Sequence, residues 1–224
     1  MATETCGGHV HIGSQSLSRP ESFKNLFEIW KDCENIIYLI SNEEWETPRE
    51  GIISFANRMN YKLDEAMSDG VLDEDDFIEF KQRVKTIQQG DRYYGMNLLN
   101  LNSKRDTIEF RVANGTTNPD AWIENIRLFG RLMEKSEELA QIEIKEKNGI
   151  RLKRNETHLL KLKEKIQDES LSEEDKSEIL IELLFNKDER QVYRNRYTVN
   201  SMLQQDEMAE DFEMGVRLRI NRNR

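Results

Sequence analysis

Apolar residues alternate with polar ones in two stretches of this chain and step at helical spacing through most of the rest. Gly7-Gly8-His9-Val10-His11-Ile12-Gly13 and Thr107-Ile108-Glu109-Phe110-Arg111-Val112 have the period of two that marks a strand. A strand over Thr107 to Asn114 is predicted to pair antiparallel with one over Arg92 to Leu101, because the link from Asn102 to Asp106 is polar and turn-prone. Phe23, Leu26, Phe27, Trp30 and Cys33 share one helical face, which predicts a helix from Ser22 to Ile40. A second helix is expected from Leu72 to Ile87, opened by Asp73, Glu74, Asp75 and Asp76 and closed by Gly90. Asn118-Pro119 reads as an N-cap with proline at the first helical position. The long helix that follows carries Trp122, Ile126, Phe129 and Met133 along the face expected to meet the sheet. Residues 41–60 are less regular.

The grammar changes near residue 145. Glu, Lys, Gln, Arg and Asn dominate from there, around stripes of Leu159, Leu160, Leu162, Ile166 and of Leu180, Ile181, Leu183, Leu184, Phe185. Two or three charged helices are expected, with a coiled coil as one arrangement for them. The chain therefore divides into an α+β part, residues 1–144, and a helical extension, residues 145–224. The basic end, Arg217 to Arg224, is expected to fray.

Charge follows the same division. The net charge is −10. Residues 1–144 hold 16 Lys and Arg against 26 Asp and Glu, whereas residues 145–224 hold 17 of each. Such an acidic first part disfavours nonspecific nucleic-acid binding, although a divalent cation can bridge carboxylates to nucleotide phosphates. No apolar run is long enough to span a bilayer, and the start lacks a signal-peptide pattern, so a cytoplasmic location without membrane association is expected. Cys6 and Cys33 form no CxxC or disulfide framework; Cys6 is expected to be a small buried filler.

The candidate chemistry lies on the two alternating stretches. His9 and His11 are two residues apart and share a strand face, where paired imidazoles suit a metal or phosphate; the same pattern also fits a solvated face. Glu109 and Arg111 share the face opposite Ile108, Phe110 and Val112. They are either a weak surface ion pair or a cation-binding carboxylate beside a guanidinium aimed at an oxyanion. His158 sits among charged residues and reads as a surface residue.

Taken in order, Gly-Gly-His-Val-His-Ile-Gly, Arg92-Tyr93-Tyr94-Gly95-Met96-Asn97-Leu98, Thr107-Ile108-Glu109-Phe110-Arg111 and Gly115-Thr116 before a helix resemble the amidoligase family. That family belongs to the glutamine synthetase and glutamate–cysteine ligase superfamily of carboxylate–amine ligases. The resemblance covers about residues 3–135. It implies a partial glutamine-synthetase-like antiparallel catalytic sheet packed by helices. It further implies ATP with Mg2+ or Mn2+, and carboxylate and amine substrates that are small molecules or peptides. His9 and Glu109 match metal-binding positions, and His11 a position on the nucleotide side. Arg111 matches the arginine that meets the transferred phosphate or acyl group; Arg92 and Asn97 match substrate or phosphate contacts. The family usually opens with a Glu-x-Glu strand, and only Met1 to Glu4 precede the Thr5-Cys6-Gly7-Gly8 stretch, while Glu44-Trp45-Glu46 comes after the histidines. That departure implies a shortened or split ligase, a start assigned too late or a degenerate site. It also implies an exposed sheet edge that a second chain or a homo-oligomer would pair. An ATP-dependent ligase is thus expected, with a catalytically inactive binding or assembly module as the alternative. A His-x-His metal-dependent hydrolase ranks third, since His158 is the one remaining histidine.

Overall fold

A computed structural model describes residues 7–42 and 56–205. Cys6, Glu44-Trp45-Glu46, the Met1–Glu4 start and the basic tail lie outside the described residues. The architecture is α+β and mostly helical, around one small antiparallel sheet. Strand β1 is Gly7–Gly13, and helix α1 is Pro20–Ile40. Helices α2, Asn60–Ser68, and α3, Phe77–Thr86, lead to the two-residue strand β2, Met96–Asn97. Strand β3, Thr107–Asn114, precedes the long helix α4, Pro119–Lys147. Helices α5, Arg154–Ile166, and α6, Glu173–Leu184, follow, and α7 covers 190–205. The sheet order is β1-β3-β2, so β3 is central.

One side of β3 builds the core. Ile108, Phe110 and Val112 are fully buried. The Phe110 ring stacks on Phe129 of α4 at 4.4 Å and lies 5.7 Å from Trp30 of α1. Leu162, Ile166, Leu180, Ile181, Leu183, Leu184, Phe185 and Tyr193 belong to the same contiguous apolar cluster. The stripes of the extension are therefore spent on α1 and α4 as well as on each other. Helices of 13 and 12 residues suffice for that packing.

Helix ends are completed across the chain as well as locally. Asp76 accepts N–H bonds from Ile78 and Glu79 and so starts α3, several residues after the position expected from its acidic run. The α2 N-terminus is held from outside, where Glu34 of α1 accepts N–H bonds from Met59 at 2.6 Å and Asn60 at 3.1 Å. Glu137 of α4 does the same for the start of α1, accepting from the Ser18 amide at 2.9 Å and from the Ser22 hydroxyl.

The strand expected over Arg92 to Leu101 shrinks to Met96–Asn97. The Gly95 N–H goes to the Asn57 carbonyl at 2.9 Å and the Leu99 N–H to Asn97 Oδ1 at 3.0 Å, and these end the pairing with β3. The outer edge is covered by Gln88. Its side-chain carbonyl takes the Leu98 N–H at 2.6 Å and its amide donates to the Met96 carbonyl at 3.0 Å. A buried side chain thus does the pairing that a further strand would do. Gly95 is fixed by proximity: a Cβ there would lie 2.8 Å from Val112 and collide with the Tyr38 hydroxyl, which donates to the Ala56 carbonyl at 2.7 Å. Gly95→Ala is expected to cost about 1–3 kcal/mol by forcing that buried hydroxyl aside, read as a lower midpoint in urea unfolding.

The entry to β3 is clamped by charge. Lys81 is buried and donates to Ser14 Oγ and to Asp106, both at 2.8 Å. Burial would raise the Asp106 carboxyl, but hydrogen bonds from Lys81, the Asn102 amide and Ser14 outweigh it and hold the group below its ordinary value. A depressed carboxylate contributes stability above its unfolded-state pKa, near 3.9, and loses it as pH falls through the folded value. The chain is therefore expected to lose stability below about pH 4, and Asp106→Asn to flatten that part of a pH series of thermal melts.

Candidate functional site

Register decides what faces what on the sheet. Glu109 pairs with His11 on β1 and with Asn97 on β2. Between the pairs Gly8–Ala113 and Val10–Phe110, β3 advances one residue more than β1. Arg111 and Val112 together therefore oppose His9, which is a β-bulge. Arg111 still pairs on its other side, donating its N–H to the Gly95 carbonyl at 2.8 Å. The face opposite the Phe110 core thereby gathers His9, His11, Asn97, Glu109 and Arg111.

Glu109 is the hub. Its Oε1 accepts Arg111 Nη1 at 2.8 Å, lies 3.1 Å from His9 Nδ1 and 3.6 Å from His11 Nε2. Its Oε2 accepts Asn97 Nδ2 at 2.7 Å. The Glu109 and Arg111 side chains are 8% exposed, against 36% for His9 and 38% for His11. The acid and the guanidinium form the floor, and the imidazoles form the accessible rim. Asn97 is fixed from its other end, its Oδ1 accepting the Leu99 N–H at 3.0 Å. His11 Nδ1 lies 3.5 Å from the Thr107 hydroxyl.

Tyr93 extends the cluster. Arg111 lies 5.6 Å from its ring centroid and Arg92 5.1 Å, and Arg92 Nη2 donates to the Tyr93 hydroxyl at 3.2 Å. That hydrogen bond raises the Arg92 guanidinium above its ordinary value, so this exposed group carries a fixed positive charge. Arg92 is among the residues expected from sequence and Tyr93 is not; what marks Tyr93 is an aromatic ring next to one arginine and facing another across the strands. All six residues singled out in sequence thus fall in one neighbourhood, with Arg92 at its edge. His158 stands apart on the extension, exposed and 3.3 Å from Glu182. Cys33 is buried, and burial, with Asp32 beside it, pushes its thiol well above its ordinary value and disfavours the thiolate.

A divalent cation meets an incomplete donor set here. Imidazole and carboxylate are suitable ligand types. Among the described residues, however, no three His, Cys, Asp or Glu side chains are arranged to hold one. Glu109 already gives Oε1 to Arg111 and Oε2 to Asn97. Magnesium wants about six oxygens. The described residues do not by themselves fit a protein-held metal ion.

One guanidinium, two imidazoles and an amide thus converge on the single buried carboxylate of Glu109, with Arg92 and Asp91 beside Tyr93 at the edge. A family model described as "putative amidoligase enzyme" matches residues 1–133 of the 224. The chain belongs to the amidoligase family. No curated protein and no solved structure matches it. The match takes in both site strands and the first half of α4, and it ends before the helical extension. Among the described residues of this amidoligase-family chain, no helix is long and apolar enough to cross a membrane.

Proposed function

We propose that the chain is an ATP-dependent carboxylate–amine ligase, working on the sheet face that carries Glu109. The observation that carries this reading is the convergence of His9, His11, Asn97 and Arg111 on that single carboxylate. In the reaction, a carboxylate oxygen of the acid substrate bonds to the γ-phosphorus of ATP and the bond to ADP breaks. The amine nitrogen then bonds to the acyl carbon, inorganic phosphate leaves, and the amine proton passes to a base. Both steps carry anionic charge on transferring oxygens, and positioned cations stabilise such charge best where water is excluded.

Each residue has a task in this reading. Arg111 presents a guanidinium whose plane is set by Glu109 on one side and the Tyr93 ring on the other. Asn97 keeps Glu109 oriented. The accessible imidazoles of His9 and His11 are placed to take up the amine proton, and Arg92 offers a second cation at the rim. Mg2+ or Mn2+ would be brought by the triphosphate, whose own oxygens and waters would supply most of its shell and whose charge it would help to neutralise. His9 and Glu109 are the chain's candidate contacts to it. The acid and amine are small molecules or peptides.

A second reading, a nucleotide- or anion-binding module without turnover, is favoured by the full engagement of both Glu109 oxygens within the chain. One experiment separates the two. The full chain is incubated with ATP, Mn2+ or Mg2+ and panels of acids and amines, and ADP, phosphate and new amides are followed by mass spectrometry. Amide formation matched by equal ADP and phosphate supports the ligase; nucleotide binding with none of these products supports the module.

A further inference from the structure

Helix α7 lies outside the family match, yet its side chains reach the end of α1, and Asn42 there touches the sheet. A helix leaves its last carbonyls without partners of its own. Two of those of α1, Leu39 and Ile40, are served from α7. Asn200 Nδ2 donates to the Leu39 carbonyl at 2.7 Å and to the Asn42 carbonyl at 3.0 Å. Arg196 Nη1 donates to the Ile40 carbonyl at 3.2 Å, while its other nitrogen pairs with Glu124 of α4. Asn200, Arg196 and Asn42 are all buried.

Asn42 passes this contact to the site strand. Its Oδ1 accepts the Asn114 N–H at 2.7 Å. Its Nδ2 donates to the Tyr38 carbonyl at 2.7 Å and reaches the Val112 carbonyl at 3.4 Å. Val112 is half of the bulge opposite His9, and its neighbour Arg111 is the other half. A bulge gives up regular ladder bonds, so its setting depends on side chains such as this one. An unbroken run of buried hydrogen bonds and one strand therefore leads from Asn200 through Asn42 and Val112 to Arg111 and Glu109. Asn200 Oδ1 and Asn114 Oδ1 are buried without a hydrogen-bond partner among the described residues, so the arrangement is held by the two donor bonds of Asn200 Nδ2 and the bonds of Asn42, whose loss would leave buried carbonyls unpaired as well.

We infer that Asn42 and Asn200 are positioning residues for the Glu109 site, and that the helical extension is thereby a working part of it. The consequence for turnover rests on the ligase reading; the consequence for site geometry does not.

The comparison that tests this is Asn200→Ala against Lys163→Met. Lys163 ties α5 to α1 and α4 through Glu28 at 2.7 Å and Glu143 at 2.6 Å, so its loss also loosens the extension but leaves the contacts of Asn42 in place. Two readouts are taken on the full chain well below its unfolding midpoint: imidazole resonances of the three histidines, and hydrogen exchange at the Asn114 amide. Asn200→Ala is expected to shift the His9 and His11 resonances, leave that of His158 in place, and speed exchange at Asn114 roughly five- to tenfold, the equivalent of about one lost hydrogen bond. Lys163→Met is expected to leave His9, His11 and Asn114 at their native values. Unchanged His9 and His11 signals in Asn200→Ala, or equal responses in both variants, overturn the inference. If Asn200→Ala does not fold, Asn200→Ser, which keeps a shorter donor, is read by the same criteria. Neither readout needs turnover, so failure of the coupling and failure of the ligase reading are told apart.

Discussion

Glu109→Gln is expected to lower ATP-dependent turnover by two to three orders of magnitude, the usual range for removing a positioned electrostatic group, while leaving the fold in place. Glutamate offers acceptors to Asn97 on one oxygen and to Arg111 and His9 on the other. Glutamine keeps one acceptor and adds a donor, so at least one of those neighbours must turn away. Arg111 also loses the negative charge that holds its plane. The apolar core lies on the opposite face of β3, at Ile108, Phe110 and Val112, and keeps its packing. The stability cost is therefore confined to a hydrogen bond or two, about 1–3 kcal/mol. Phosphate release and a thermal melt on the same sample check both halves. Native turnover by a folded Glu109→Gln variant would remove this residue from the reaction.

Phe110→Ala should have the largest effect on stability, about 3–5 kcal/mol. Phe110 fills the place where the sheet meets both long helices, stacked on Phe129 and beside Trp30. Truncation leaves a cavity that neither ring can fill without moving its helix. Since domains of this size hold only about 5–15 kcal/mol in total, the variant is expected to show a sharply lower urea midpoint. Its slope should stay near the native one. A loss under 1 kcal/mol, as a rough bound for an uncritical site, would mean that the aromatic trio is not the centre of the fold.

The two predictions concern adjacent residues of one strand with opposite duties. Alternation puts Phe110 on the packed face and Glu109 on the chemical one. This is why the strand Thr107–Asn114 and its partition into core and site faces were legible from residue order, and why the His9-x-His11 pair could be assigned to a shared face. The long helices were legible for a similar reason, since an apolar stripe at helical spacing, with Asn118-Pro119 as a start signal, is local information; the packed face of α4 was only partly so, because Phe129 and Met133 are buried but Ile126 is 54% exposed and Leu128 and Leu132 enter the core.

Other features were not legible because they depend on partners far along the chain. The short β2 follows from the Gly95 and Leu99 N–H groups going to Asn57 and to the Asn97 side chain rather than to β3. The delayed start of α3 follows from which of four consecutive acidic residues caps it. Tyr93 gained its place between Arg92 and Arg111 only when β2 was laid beside β3. Asn42 and Asn200 carried no motif; their roles arise where two helix ends and a strand end meet.

Residue order alone settled the periodicities, and with them the α+β character, the buried and polar faces of β1 and β3, and the family to which residues 1–133 belong. Folding in three dimensions settled the register that puts Glu109 between His11 and Asn97, the bulge that turns Arg111 and Val112 toward His9, and the docking of the extension against α1. The physical reason is range. Side-chain alternation and helical stepping are fixed within a few residues, whereas register, bulges and buried polar contacts are fixed by which distant donors and acceptors must be satisfied once the apolar faces have met.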